Sequence, residues 1–408
     1  MPTTRKKGTR CRTLCLLLAI AHMALCLSPL PTAALPSEQE DTLAVSAPGR
    51  VSLNVEGLSA QSAVLMDADS GQVLYECNAD TRLPMASTTK IMTALCAFEL
   101  GELTDVIRVD ARAVGIEGSS VYLSAGERLT LHQLLYALLL SSANDAAVAI
   151  AIGTAGSVEA FVAHMNQKAK ALGLKNTHFE NPHGLDDEEH YTTAYELALI
   201  TRELLSHPLL ATICATRKTT IPQGNAPNAR LLVNHNKLLR NYAGCIGVKT
   251  GFTKRSGRCL VSAAEREGLT LIAVTLNAPD DWNDHTRLLD AGFDAYERVV
   301  LCERGGYETP IPVTGGKEAY VVVRSDHTVA VTLPRRRGAV RCTVESPRFL
   351  FATVDQNETV GRLIFWCDTD GDGDEEDLAT VPLTTAYAVE RKPTKGVLGR
   401  LISRLWHQ

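Results

Sequence analysis

A chain of 408 residues, 45% apolar and 21% charged, has ordinary globular composition and the length of two domains or one large one. A core of that size needs no disulfide or metal to hold it, and no repeat at solenoid periods is present. Net charge is −5, and removing the leader described next takes away five basic and no acidic side chains, leaving −10. That balance repels polyanions, and no basic patch with interleaved aromatics occurs, so nucleic acid is excluded as a partner.

Residues 1–34 read as a secretory signal peptide. Arg5, Lys6, Lys7, Arg10 and Arg12 make a basic start, and an apolar run from Leu14 to Leu27 follows, interrupted by His22. Prolines then lead to the small residues Thr32, Ala33 and Ala34. The run is short and soon broken for a membrane span, with an uncleaved anchor as the alternative. Leu25 precedes Cys26 where a lipoprotein would need a small residue, which argues against lipidation. Eight cysteines lie beyond the leader: Cys77, Cys96, Cys214, Cys245, Cys259, Cys302, Cys342 and Cys367. None forms a CxxC pair or a zinc-spaced Cys/His cluster. Several sit in apolar runs, so buried free thiols are expected, although export would permit disulfides.

Residues 35–56 are an approach segment containing Pro, Ser and Glu. Residues 63–66 and 72–77 read as short strands about a turn-rich segment, DADSG. A helix is expected from Ser87, apolar nearly all round and therefore buried, stopping before Gly101. Residues 131–152 give a second apolar helical stretch, interrupted by polar residues 141–145. Amphipathic helices are expected over 157–172 and 194–206. From Val248 the pattern turns to strands, with 260–264 and 269–276 flanking a turn at 265–268, and a helix over 283–298 then closes a first domain, 57–304.

Beyond residue 304, short β-rich runs at 319–323, 329–333, 340–344 and 363–367 predict a small all-β domain over 305–390. Within it, the acidic run 368–377 begins like an EF-hand loop, but Ala379 stands where the bidentate Glu belongs. It also joins two strands, so a solvated hairpin tip is expected and no metal. In the last segment, 391–408, Val397, Leu398, Leu401, Ile402, Leu405 and Trp406 share one helical face, with Arg400 and Arg404 off it. Such a basic amphipathic helix suits a membrane interface; packing on the β domain is the alternative.

Three polar motifs interrupt the apolar segments of the first domain. Ser87 and Lys90 form the chain's SxxK. On a helix, i and i+3 share a face, so the lysine reaches the serine hydroxyl. Apolar surroundings would desolvate it and supply a neutral amine as base. The plain alternative is an N-cap serine with a snorkelling lysine. Ser142 and Asn144 form an SxN that could supply a relay hydroxyl and an orienting amide, though a helix kink would look the same. Lys249, Thr250 and Gly251 form a KTG after β-branched residues, where an edge strand could offer positive charge, a hydroxyl and close backbone approach to a substrate carboxylate. A strand end with a surface lysine is the alternative there.

The order SxxK, SxN, KTG, in this local context, resembles the penicillin-interacting serine enzymes. With segments 83–87, 181–185, 190–195 and 257–261, the chain from about 57 to 300 resembles the low-molecular-mass penicillin-binding proteins, the D-alanyl-D-alanine carboxypeptidases of S11 type. The resemblance implies an α/β (α+β) penicillin-binding/serine β-lactamase-like transpeptidase fold. Its antiparallel sheet carries helices on both faces and a small all-β domain follows. It implies Ser87 as nucleophile, Lys90 as its base, and Ser142 and Asn144 as relay and amide-holding groups. Lys249, Thr250 and Thr253 would lie toward the substrate carboxylate, with Gly251 beside them. The backbone N–H groups of Ser87 and Phe252 would form the oxyanion hole. Phe252 stands where some relatives have His, and His235 stands where some have a carboxylate-binding Arg. The implied reaction is acyl transfer to water without a cofactor. It removes the terminal D-Ala from peptidoglycan stem peptides at the outer face of the cytoplasmic membrane, with β-lactams as covalent inhibitors. Rival readings are a class A β-lactamase, for which no deacylating Glu loop is evident, and a non-catalytic wall-binding scaffold. His183 and His190 lack a ligand pattern and are expected to be structural.

Overall fold

Alternating side chains build the central sheet in the computed structural model, which describes residues 42–45, 53–224 and 226–393. Strands β2 (Ser62–Asp67), β3 (Val73–Cys77), β8 (Cys245–Thr253), β9 (Gly257–Arg266) and β10 (Leu269–Leu276) pair antiparallel in the order β3-β2-β10-β9-β8. Successive residues of a strand face opposite sides. Ala63, Leu65, Leu271 and Ala273 therefore meet Leu288, Leu289 and Phe293 of helix α8 (Asp281–Ala295). Val64, Met66, Ile272 and Val274 face the other way, into the larger cluster with α1 (Lys90–Leu100) and α5 (Ala194–Leu205). Burial on both faces explains why these strands read as continuous apolar runs rather than as alternation.

The larger cluster also takes in α2 (Leu131–Leu140), α3 (Asn144–Ala155), α4 (Val158–Ala171) and α6 (Pro208–Ala215). A capping box of Thr130 and Gln133 starts α2, and Ser157 and Thr193 cap α4 and α5 through their hydroxyls. The helical stretch expected over 131–152 is thus two helices, and the break places Ser142 and Asn144 at the head of α3. Two hairpins border this layer: β4 (Val106–Arg108) with β5 (Arg128–Thr130), and β6 (Lys218–Gln223) with β7 (Ala226–Val233). The short α7 (Leu238–Asn241) leads into β8.

The helix expected over 283–298 ends at Ala295, and Tyr296 instead begins β11 (Tyr296–Cys302). The apolar helical pattern runs out at Phe293, and the pair Val299 and Val300 favours a strand. That strand lies in a three-stranded sheet, β1-β14-β11, with β1 (Thr42–Val45) parallel to β14 (Thr328–Pro334). A six-stranded sheet follows. It consists of β12 (Glu308–Thr314), β13 (Tyr320–Ser325), β15 (Arg341–Glu345), β16 (Leu350–Phe351), β17 (Thr359–Cys367) and β18 (Glu376–Thr385), in the order β15-β17-β18-β13-β12-β16. Prolines 310 and 312 hid β12 from the sequence pattern, and the acidic run hid the start of β18. That run links β17 to β18, and Asp368, Asp370 and Asp372 there bring carboxylate oxygens within 4.8 Å of one another.

The eight cysteines are free. Cys342 departs from the expected burial because β15, an edge strand, is exposed along its length, and Cys77 and Cys245 are half-buried. The leader and residues 394–408 lie outside the described residues. Among those described, no single helix is long and apolar enough to cross a membrane.

Candidate active site

A 3₁₀ turn, Ala86–Thr89, leads the chain into α1, and Ala86 sits in the left-handed region at φ +49°. Hydroxyls of the turn itself, one of them held by His190 from outside, keep that conformation. Thr89 Oγ1 donates to the Ala86 carbonyl (2.8 Å), and Thr88 Oγ1 to that of Met85 (2.6 Å). His190 Nδ1 accepts from the Glu180 N–H (3.0 Å), so its proton belongs on Nε2, which donates to Thr89 Oγ1 at 2.7 Å. Burial lowers the His190 pKa to about 4, so the ring is neutral as this tautomer requires. The outcome is a half-buried Ser87 between buried neighbours.

Lys90 lies one turn along and is fully buried, which rules out a snorkelling lysine. Its Nζ contacts Ser87 Oγ (2.9 Å), Asn144 Oδ1 (2.6 Å) and the His183 carbonyl (2.5 Å). Those three partners use every donor of an ammonium. Burial drives the Lys90 pKa well down, the Lys249 charge adds to the shift, and Asp145 opposes it. A neutral amine keeps two donors for Asn144 and His183 and turns its lone pair to Ser87. The serine hydroxyl then donates, which is the geometry of a base poised to take that proton.

Asn144 bridges outward, its Nδ2 donating to the Glu117 carbonyl (2.5 Å) and its backbone N–H to that of Ser119 (2.7 Å). Asp145 beside it accepts from Ser120 Oγ (2.6 Å) and from the N–H groups of Leu123 (2.9 Å) and Val121 (3.2 Å). This pins the loop that displays Tyr122. Ser142 is buried with φ +58°, and its hydroxyl makes no hydrogen bond to Ser87, Lys90 or Lys249 among the described residues.

Strand β8 is the free edge of its sheet and carries the KTG. Lys249 is almost wholly buried and donates to the Thr250 carbonyl (2.8 Å). Burial lowers its pKa to about 7. The neighbouring Cys214 thiol is pushed up to about 12, so it stays protonated and offers no compensating charge. Gly251 brings the strand against the turn that carries Ser87, for a Cβ there would lie 3.1 Å from the Ser87 nitrogen. Thr250 is half-buried and Phe252 is 65% exposed. Thr253 Oγ1 donates to Asp186 Oδ1 (2.7 Å) and accepts from the Ser256 N–H (2.9 Å), so its proton is committed. His235 donates its N–H to the Leu140 carbonyl (3.2 Å), and burial followed by the Lys249 charge lowers its pKa. A cleft of about 590 Å³ borders the site, lined by Ser119, Tyr122, Ser141, Arg230 and His235 among others.

SxxK, SxN and KTG thus converge: an amine reaches the hydroxyl and the amide, and a second cation lowers that amine's basicity. This donor set serves acyl transfer through serine. The profile of a protein family, Peptidase_S11, described as D-alanyl-D-alanine carboxypeptidase, matches residues 49–280. The chain belongs to this family. It is a serine-type carboxypeptidase hydrolase acting on D-alanyl-D-alanine.

Relatives agree along most of the S11 chain. D-alanyl-D-alanine carboxypeptidase DacF of Bacillus subtilis is 34% identical over 315 residues, 75% of this chain and 81% of that one. DacA of Escherichia coli is 34% identical over 332 residues, 77% and 81% respectively. Penicillin binding protein 5 of Haemophilus influenzae superposes with a TM-score of 0.67 at 28% identity, covering 83% of this chain and all of that structure. The expected fold, antiparallel sheet with helices and a following all-β part, is therefore right, and none of these matches favours a β-lactamase or a scaffold.

Four site residues of the carboxypeptidase escaped motif reading. The His183 carbonyl, Gly184 and Asp186 all lie in or beside the NPHGL segment, 181–185, which carries part of the family resemblance with only a structural role expected for His183. Asp145 follows the SxN directly. A backbone carbonyl has no side-chain signature, so no motif could announce the His183 contact.

Proposed function

We propose that Ser87 is the residue acylated during removal of the terminal D-Ala from peptidoglycan pentapeptide stems, with Lys90 as its base. The 2.9 Å contact between a fully buried Lys90 Nζ and Ser87 Oγ carries this reading. Neutral Lys90 takes the hydroxyl proton as Oγ bonds to the carbonyl carbon of the penultimate D-Ala. The developing oxyanion lies toward the N–H groups of Ser87 and Phe252, a kind of donor typically worth about 3 kcal/mol each. The C–N bond then breaks, and the proton passes to the leaving amine through Ser142 under the influence of Lys249. Water repeats the sequence on the ester, with Lys90 again as base, and restores free Ser87. Asn144 holds the substrate amide. Thr250, supported by the Lys249 charge, faces the terminal carboxylate, while the commitment of Thr253 to Asp186 makes it the weaker carboxylate ligand. β-Lactams acylate the same oxygen, a reading supported by the penicillin-binding relative.

Intact mass after penicillin exposure tests this. One adduct per chain, mapped to Ser87 and absent in Ser87→Ala together with D-Ala release from pentapeptide, is expected. An adduct on another residue, or D-Ala release by the variant at the wild-type rate, would sink it.

Export and anchoring belong to the same proposal. The leader pattern of residues 1–34 supports secretion to the outer face of the cytoplasmic membrane, where peptidoglycan is. The arrangement is then an approach segment to 56, the peptidase over 57–304, the β-rich part over 305–390 and a membrane-binding segment over 391–408, whose helix starts beyond Pro393 because Arg391 is held in a β bridge to Gly316. Truncation after about residue 390 is expected to release the enzyme from membranes, and sedimentation of the truncated form with them would remove the anchor.

A further inference from the structure

The chain has eight phenylalanines, and three of the described ones are exposed. Phe252 belongs to the active-site edge. The other two, Phe349 (50% exposed) and Phe351 (69%), stand together on the far β sheet with ring centroids 5.3 Å apart, edge to face. Leu350 between them turns inward to the cluster of Ile311, Val313 and Val389, so both rings face outward by the two-residue period of an extended chain.

Sheet register extends the patch and locates it. Val313 pairs with Leu350 and Thr314 with Phe351, while Pro312 pairs with Tyr320, which is 53% exposed. Partners across a sheet share a face, so Pro312, Tyr320, Phe349 and Phe351 lie on one outer face at the β16 edge. The chain's last described residues leave at the same edge: Arg391 bridges Gly316, and Lys392 donates its N–H to the Gly315 carbonyl at 2.9 Å. Gly315 directly follows Thr314, the partner of Phe351. The tail that departs there, residues 394–408, carries Lys395, Arg400 and Arg404 and no acidic residue. Exposed Arg348, Arg391 and Lys392 add positive charge at the rim, while Lys317 is paired with Glu390 and Glu318 stands beside it.

We propose that this aromatic face is a second membrane contact, seating Phe349 and Phe351 in the interface of an anionic lipid bilayer beside the tail helix. The proposal rests on the anchoring reading of the tail and deepens it. One amphipathic segment gives reversible attachment, and a second apolar contact with a basic rim strengthens it while fixing orientation. With β16 against the bilayer, the enzyme stands on its β-rich part instead of swinging on a flexible tether. Exposed aromatic rings that no element among the described residues covers are costly in water, and the point of tail exit puts lipid within their reach.

The test uses the full chain and vesicles of phosphatidylglycerol and phosphatidylcholine, read by sedimentation. Phe349→Ser/Phe351→Ser is expected to lower partitioning about tenfold while still taking up one penicillin per chain. Leu401→Glu/Leu405→Glu is expected to lower it further, and adding the Phe changes removes what remains. Equal partitioning of wild type and the Phe variant overturns the proposal and leaves the tail anchor standing. A tail variant that binds as wild type overturns the anchor, and reduced binding by the Phe variant then supports this face independently. Should the Phe variant lose penicillin uptake, Phe351→Trp decides: added emission quenched by brominated lipid supports the contact, and its absence overturns it. Without lipid, a dimer dissolved by the Phe changes would reassign the face to a second copy. A shift of Trp406 emission would reassign it to the tail itself.

Discussion

A Cβ added to Gly184 would lie 1.9 Å from the carbonyl oxygen of Ala86. Gly184 has φ +88°, and Ala86, with φ +49°, is the residue before Ser87. The adjacent His183 carbonyl accepts from Lys90. One two-residue stretch of backbone therefore buttresses the turn that presents the hydroxyl and also positions the amine.

Gly184→Ala forces that stretch away from Ala86, in a backbone region that alanine itself resists. Moving Ser87 and Lys90 apart by about 1 Å costs on the order of 100-fold in rate. Penicillin acylation and D-Ala release should fall together by about that factor, with a lowered melting temperature. Acylation at the wild-type rate would show that the contact is dispensable.

Lys249 lowers the basicity of Lys90 by its charge, after burial, which is the larger cause. With Lys90 as the proposed base, acylation needs it neutral, so the rate rises with pH through the pKa of Lys90 in the folded protein. Replacing Lys249 by Met removes the positive neighbour and lets that pKa climb toward its ordinary value. The acid limb of the acylation profile should move to higher pH, and the plateau rate should fall about 100-fold through loss of the cation near the leaving group. A plateau that drops with no movement of the limb would mean that the two amines do not sense each other.

The three motifs were legible because each is a side-chain pattern whose spacing survives without coordinates: SxxK needs one helical turn, and KTG needs an edge strand. Central strands β2, β9 and β10 were legible as apolar runs bounded by turn residues. What escaped has physical reasons. The His183 carbonyl acts through backbone, which every residue possesses. Strand β12 contains two prolines, and β6 alternates weakly because only Ile221 of its six residues is buried. The helix expected over 283–298 takes in the first residues of β11, Tyr296 to Arg298, because no Gly or Pro marks the junction after Ala295. The Thr253–Asp186 bond spans 67 residues, and no local rule connects them.

Arg230 and Glu127 form a nearly solvent-free pair with side-chain exposures of 8% and 1%. Glu127 also accepts the Gly224 N–H (2.7 Å) and the Ser124 N–H (3.0 Å), and Arg230 Nη2 donates to the Tyr122 carbonyl (3.0 Å). This ties the β6–β7 hairpin to the loop that borders the cleft. Arg230→Met leaves a buried carboxylate unpaired, at a cost of about 3–5 kcal/mol. Chemical denaturation should show that loss, and KM for pentapeptide should rise more than kcat falls because the cleft wall loosens. A variant with unchanged stability would mean that Glu127 finds solvent.

His285 is wholly buried between the sheet and α8, with Nδ1 2.5 Å from Ser262 Oγ and Nε2 2.9 Å from Thr275 Oγ1. Burial lowers its pKa to about 3, against about 6.5 in an unfolded chain. Between those values the unfolded state binds the extra proton, so the stability contributed by the neutral ring is complete above pH 6.5. It is lost progressively as pH falls toward 3. The loss is about 1.4 kcal/mol per pH unit once the unfolded imidazole is fully charged. His183, lowered to about 3, and His190, lowered to about 4, act in the same direction, both chiefly through burial. His285→Asn should therefore be less stable at pH 7 by about 1–3 kcal/mol, from disturbed hydrogen bonds. Its urea-unfolding free energy should fall less steeply than wild type between pH 6 and pH 4.5, by close to one proton's slope. Parallel pH dependences for the two proteins would place the histidine proton in the folded state and reverse the assignment of a neutral ring bridging two hydroxyls.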